Sequence, residues 1–291
     1  MIVTQMTAGT DISYKTISPK RTDYGSQFEI LVSVLYHGIV KAGDTVVDGG
    51  ANAGLHAGPL VRLADVNGKL IAFEPIPEVF AQLKRNLGRW PAELHNVALS
   101  DHPGSADFVV NKSNAALSHL KHQYDESKSD EETITVPLVT LDDVVGSRNV
   151  SFIKLDLEGA DFLALRGGEK LLTRARPAVI FENSREWASI CRNYSKEDFF
   201  AFFDRVNYEI FDLHSDQLDA STWTEANMAF EFIAVARENE AQRTTALKTI
   251  RFFWENEARR PELKSWVDCI HAVGAVDRYM MTYHGAAWGR F

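Results

Sequence analysis

Cysteine is nearly absent: Cys191 and Cys269 are the two in 291 residues. They are too few for a disulfide framework, and both are read as free thiols. No run reaches the roughly 18 apolar residues of a spanning helix. The N-terminal "MIVTQMTAGTDISYK" also lacks the basic flank and apolar core of a secretory signal. These absences point to a soluble cytoplasmic protein with no membrane partner. Runs of lysine and arginine are missing as well. With 31 basic against 40 acidic residues the formal net charge is −9, which argues against nucleic acid as the main partner. The three-glycine fingerprint that cradles a pyrophosphate does not occur in its usual spacing, which speaks against a nicotinamide oxidoreductase.

What is present is enough apolar sequence, 45% of residues, for one sizeable core. Residues 26–40 space their apolar positions as a helix does, and "KAGD" (Lys41–Asp44) ends that pattern before the strand "TVV". Strand runs follow at "KLIAFE" (Lys69–Glu74), "ELHNVALS" (Glu93–Ser100), "SADFVV", "TITVPLVTL", "SFIKLD" (Ser151–Asp156) and "PAVIFE" (Pro177–Glu182). Between them lie helical patterns at "LVRLA", "PEVFAQLKRNLG" and "ADFLALRGGEKLL". The Arg166–Gly168 "RGG" reads as shaping a helix ending. Strands alternating with helices predict a mostly parallel sheet covered on both faces, and "YEIFDL" with "MAFEFIAVA" predict an antiparallel edge. The polar segment 111–132 reads as a mobile lid or substrate loop. We divide the chain into an N-terminal helical extension (1–40), a catalytic-size domain (41–237) and a C-terminal helical extension (238–291). The aromatic residues of that last part, Trp254, Trp266, Tyr279, Tyr283 and Trp288, suit ordinary core or a homodimer interface.

Ligands of an open α/β sheet bind outside the carboxyl ends of its strands, and acidic residues stand at four predicted strand ends: Asp48, Glu74, Asp156 and Glu182. Asp48 opens D-x-G-x-N-x-G with Gly50, Asn52 and Gly54, a tight loop that lets backbone pass close to a ligand. An aspartate there disfavours phosphate and favours a cation. Glu74, at the end of the next strand, suits the two hydroxyls of a ribose. Together they describe a nucleoside with a positively charged tail, the chemistry of S-adenosyl-L-methionine (SAM).

The segments "VVDGGANAG" (Val46–Gly54), "AFEPIP" (Ala72–Pro77), "NVALSD" (Asn96–Asp101), "TLDDV" (Thr140–Val144), "IKLDLEGADFLALRGG" (Ile153–Gly168) and "RPAVIFE" (Arg176–Glu182) resemble, in order, the FkbM-type SAM-dependent methyltransferases. The resemblance spans about half the chain. It implies a Rossmann-like, seven-stranded methyltransferase sheet. It also implies Asp48, Gly50, Asn52 and Gly54 around the methionine part of the cofactor, Glu74 on the ribose, and Asn96, Val97 and Ala98 beside the adenine. Asp156 would face the cofactor's amine or the substrate. Asp161 departs from the glutamate more usual there, so no glutamate-specific role is carried onto it.

Asp156 and Glu158 alternate along what reads as an extended strand end, so both would point to one side and serve as catalytic, acceptor-side carboxylates. Glu182, His56 and His119 are further candidates for a general base. His119, His122 and Asp125 have a spacing that would suit a metal on one helical face, but a polar loop favours their being solvated, and no metal is assigned. The expected activity is O-methyl transfer to a hydroxyl of a small metabolite, a sugar or polyketide-type natural product. The competing expectations are an N-methyltransferase, an RNA or protein methyltransferase, and a non-catalytic nucleoside-binding scaffold.

Overall fold

The computed structural model describes residues 25–257 apart from 89, 126–127 and 226–227. The chain runs α1 (Gly25–Ile39), β1 (Thr45–Gly49), α2 (Ala57–Ala64), β2 (Lys69–Phe73), α3 (Pro77–Leu87), β3 (Ala92–His95), β4 (Ala98–Leu99) and β5 (Gly104–Asn111). A 3-10 turn (Ala115–Leu117), β6 (His119–Leu120), β7 (Glu131–Val139), α4 (Leu141–Val145), β8 (Val150–Leu155), α5 (Asp161–Arg166) and α6 (Glu169–Ala175) follow. The remainder is β9 (Ala178–Glu182), α7 (Glu186–Arg192), α8 (Lys196–Arg205), β10 (Tyr208–Asp212), β11 (Glu231–Ala236) and α9 (Glu240–Glu257).

Seven strands form one sheet in the order β10-β11-β9-β8-β1-β2-β3. The five from β9 to β3 are parallel, and β11 runs antiparallel between β9 and β10. The central strands are near-continuous apolar runs because both faces are covered. Val46, Leu70, Ala72, Phe152 and Ile180 share a cluster with α1, α2, α3 and α9. Val47, Ile71, Ile153, Val179 and Phe181, displaced by one residue, share the other with α4, α5, α6 and α8. On that second face Phe162 lies 4.9 Å from Phe199, which is 4.9 Å from Phe203, and such ring pairs contribute about 0.5–1.5 kcal/mol each beyond burial. Local signals agree with this packing. α3 starts on Pro77 with Glu78 in its first turn and ends on Lys84 and Arg85, complementing the helix dipole. The α8 start is fixed by a capping box between Ser195 and Asp198.

β1 is the switch point of this topology: successive strands are laid down to one side of it and then, from β8, to the other. The crevice this opens lies at the carboxyl ends of β1 and β8, where Asp48 and Asp156 stand.

A second, four-stranded sheet (β4-β7-β5-β6) forms the wall over that crevice and corrects two expectations. "ELHNVALS" is two strands, β3 in the large sheet and β4 in the small one. The break comes at Asn96, whose Nδ2 is drawn to the carbonyls of Glu74 (2.9 Å) and Pro75 (3.0 Å). The segment 111–132 is no bare loop, because it contributes the 3-10 turn and β6 and enters the β5–β7 ladder at Asn111↔Glu131. The pattern over 160–172 likewise splits into α5 and α6 at Gly167–Gly168.

Helices α1 and α9 pack on the same face of the large sheet. Phe28 meets Trp254 edge-on at 6.0 Å, and the Trp254 indole donates to the Leu213 carbonyl. Cys269, Trp266, Tyr279, Tyr283 and Trp288 lie outside the described residues. No helix among the described residues is long and apolar enough to cross a membrane.

Candidate active site

Asp48, near the end of β1, is fully buried, and neither of its carboxylate oxygens has a hydrogen-bond partner. Burial pushes its pKa up, against the pull of Lys154 and His56. Lys154 sits beside it in the β1–β8 register and is itself buried. Burial opposes the charge on Lys154, but Asp156, Asp48 and Glu29 outweigh it and hold the lysine above its ordinary pKa. Its Nζ donates to Asp156 Oδ2 at 3.0 Å. His56 does not reach the crevice floor, since its Nε2 pairs with Glu29 of α1 at 2.5 Å under the Tyr36 ring.

The loop after β1 is locked to its neighbours. Gly50 has φ +72°, and a Cβ there would stand 2.0 Å from the Asp156 carbonyl oxygen. No side chain fits. Asn52, at φ +49°, donates its backbone N–H to Glu74 Oε2 (3.0 Å), while Ile76 N–H donates to Oε1 (2.8 Å). Burial pushes the Glu74 carboxyl up to about 7. Each Glu74 oxygen keeps a further lone pair for a ligand.

These residues frame an open cleft at the carboxyl ends of the central strands. Gly50, Asn52, Glu74, Val97, Ala98, Asp156 and Glu158 line it. Asp48, Gly54 and Asn96, also expected at the cofactor, are not among the lining residues. The opposite wall comes from Ile76, Phe108, Ala115, Ala116, Ser118 and Leu120; the segment 111–132 was expected beside the substrate, but its pairing in a second sheet was not. Apart from Ile76, that wall comes from the small sheet and the 3-10 turn attached to it.

Asp156 and Glu158 do converge, but not by strand alternation as expected. β8 stops at Leu155, and Glu158 adopts φ +50° in the turn that follows. A non-glycine residue held there stores on the order of 1–3 kcal/mol of strain, which persists only when surrounding structure enforces it. Asp161 supplies that enforcement: fully buried, it accepts the N–H groups of Leu157 and Glu182, each at 3.2 Å. Carboxylate oxygens of Asp156, Glu158 and Glu182 consequently lie within 4.8 Å of one another. Burial, then the charges of Glu182 and Asp156, push Glu158 up to about 8; burial, then Asp156, push Glu182 up to about 7. Glu231, directly across from Glu182 in the antiparallel register, adds a buried Oε2 without a partner. Such a group can share a proton or take a cation, whether an ammonium or an oxygen-ligated divalent ion. Sequence reasoning missed Lys154 and Glu231. Their signal was a charge inside the apolar runs "FIKLD" and "FEFIAVA".

Residues 48–210, more than half of the chain, match the methyltransferase FkbM domain. The chain belongs to the FkbM methyltransferase family. The matched part is a methyltransferase domain. Among solved structures, this FkbM methyltransferase is similar to the FkbM methyltransferase of Methylobacillus flagellatus KT, at 13% identity and TM-score 0.42, over 73% of this chain and 60% of that one. It thus spans under two thirds of that protein. Others are an rRNA methylase of Streptococcus thermophilus (14% identity, TM-score 0.37, 70% of this chain and 92% of that one) and an O-methyltransferase of Bacillus cereus in complex with SAH (12%, 0.37, 75% and 84%). No curated protein matches the sequence.

Proposed function

We propose that this FkbM methyltransferase methylates a hydroxyl of a small metabolite, a sugar or polyketide-type natural product, with Glu158 as general base. The observation that carries the reading is the enforced left-handed turn at Glu158, a residue of the cleft lining, whose carboxylate it sets beside those of Asp156 and Glu182.

The residues around the β1 loop fit SAM. The orphaned Asp48 carboxylate offers a counter-charge to a cationic tail, with Gly50, Asn52 and Gly54 bringing backbone close to it. Glu74 keeps lone pairs for the ribose hydroxyls, and Asn96, Val97 and Ala98 border the adenine. Asp156 stands between cofactor and acceptor. When bound, SAM supplies an electrophilic methyl group on a sulfonium.

The protein's part is to align the acceptor oxygen, exclude water and remove one proton. Alignment alone is worth roughly 7–11 kcal/mol in well-oriented systems. A hydroxyl must lose its proton as the methyl group arrives. The best base is one whose pKa lies near the working pH, and Glu158 at about 8 meets that condition. The burial and the neighbouring carboxylates that raise it also make it a stronger proton acceptor than an ordinary glutamate. The same cluster attracts an ammonium, which favours N-methylation of an amine as the second reading.

The test is calorimetry with SAM followed by turnover on an identified acceptor. Asp48→Ala and Glu74→Ala are expected to abolish SAM binding, and Glu158→Gln to spare binding and lower turnover. Normal turnover in Glu158→Gln would remove the base assignment.

A further inference from the structure

We propose that His119, His122 and Asp125 form a binding site for a divalent Zn²⁺-type ion, which fixes the small-sheet wall of the cleft. The three were expected to be solvated residues of a polar loop. Instead their side chains are only 19%, 12% and 13% exposed, and their ligand atoms lie within 4.8 Å of one another.

No helix brings them together. His119 belongs to β6 opposite Val109, and its neighbour Leu120 turns into the small-sheet core, so His119 faces the other way. The chain then reverses: Asp125 N–H donates to the His122 carbonyl (3.1 Å), and His122 N–H donates to Asp125 Oδ2 (2.7 Å). With Oδ2 so occupied, Oδ1 is presented to both imidazoles, 3.0 Å from His119 Nε2 and 3.1 Å from His122 Nε2.

The donor atoms are arranged to suit a cation. His119 Nδ1 lies 3.1 Å from the Leu117 carbonyl, which can only accept, so Nδ1 carries the proton. That leaves Nε2 as the ring nitrogen facing Asp125 Oδ1, the atom through which the imidazole would hold an ion. Two imidazole nitrogens and one carboxylate oxygen form a donor set suited to zinc. In a tetrahedral site with bonds of about 2.0–2.1 Å, neighbouring donors stand roughly 3.3 Å apart, close to the separations of Asp125 Oδ1 from the two imidazole nitrogens. A backbone carbonyl on the distal nitrogen is the usual support of a zinc-bound histidine. His122 Nδ1 accepts from Tyr124 N–H at 3.3 Å, at the long limit for such a bond. Metal binding gives up that contact. Three protein ligands leave the fourth position to water.

The ion would act on the cleft through short connections. Ala115, Ala116, Ser118 and Leu120, which line the cleft, belong to the segment the ion would clip. Trp187 of α7 meets the His122 ring edge-on at 6.2 Å. From the same helix Arg192 reaches the carbonyls of Lys121 (3.5 Å) and Gly159 (3.4 Å), the latter adjoining Glu158.

The test uses the full chain, stripped with a chelator and titrated with ZnCl₂ by calorimetry and with Co²⁺ by visible absorption. We expect one saturable ion per chain with the intense absorption of tetrahedral Co²⁺. His122→Ala and the shape-conserving Asp125→Asn should each weaken binding by at least about tenfold, while Glu158→Gln leaves it unchanged and so excludes the acceptor-side carboxylates as the site. ZnCl₂ should raise the unfolding temperature of the wild type and of Glu158→Gln, but not of the two site variants. Absence of saturable uptake, or uptake that survives both His122→Ala and Asp125→Asn in folded protein, overturns the proposal. The outcome is independent of which acceptor the enzyme methylates.

Discussion

The Asn52 amide donates to the Glu74 carboxylate across 3.0 Å, joining the loop after β1 to the end of β2. Since burial holds Glu74 at about 7, the charge that would accept the ribose hydroxyls is lost as pH falls through neutrality. SAM affinity of the wild type should therefore rise between about pH 6 and about pH 8, because the ligand selects the ionised carboxylate. Glu74→Gln should bind at least about tenfold more weakly, the worth of charged hydrogen bonds, and lose that pH dependence. Calorimetry across the range measures both, and a flat wild-type profile would remove Glu74 from the ribose.

Gly50→Ala should disable the cofactor loop. Its Cβ would stand 2.0 Å from the Asp156 carbonyl, on a residue with φ +72°, so either β1 or β8 must move. The expected result is a folded protein destabilised by more than about 1 kcal/mol, with SAM binding lost. Chemical denaturation and calorimetry on the same preparation test this, and a variant that binds SAM normally would contradict the close approach.

Glu158→Gln keeps the side chain's shape and removes its basicity. Turnover should drop by about 10²–10⁴-fold with SAM affinity within about threefold of wild type. In the wild type the rate should climb with pH through about 8, as the carboxyl gives up its proton, and in the variant that rise should vanish. A rate profile with the same inflection in both proteins would assign it to another group.

The raised carboxylates also fix the sign of stability against pH. Glu74, Glu158 and Glu182 bind protons more tightly in the folded chain (about 7, 8 and 7) than at the ordinary value of about 4.3 when unfolded. Their contribution to stability is complete below that ordinary value and is lost as pH rises through 7 and 8. The free protein should thus unfold at a lower temperature at about pH 8.5 than at about pH 6, and Glu158→Gln should narrow the difference. Thermal unfolding at matched ionic strength checks this; an opposite trend would show that the cluster is not proton-loaded.

Much of this was legible in the residues. Val46 to Gly54, Glu74 and the "KLDLEGAD" block announced the strand ends and the β1 loop, because apolar runs ending in an acidic residue and glycine are local signals. Glu158 was found for an incomplete reason: its direction comes from a left-handed turn braced by Asp161, and sequence reading treated it as continuing the strand. The small sheet was hidden because its pairing, such as Ala98↔Leu138, joins residues far apart in the chain. Glu231 was hidden for the same reason, since only the β9–β11 register brings it opposite Glu182. The gathering of His119, His122 and Asp125 depends on a chain reversal with no glycine or proline to mark it.

Methyl transfer from isotopically labelled SAM to fractionated small metabolites, with the product's linkage determined, tests the central claim most directly. The account expects label in a methyl ether, formed by the wild type and strongly reduced in Glu158→Gln. Label on nitrogen, or SAM binding with transfer to no hydroxyl acceptor, would contradict it.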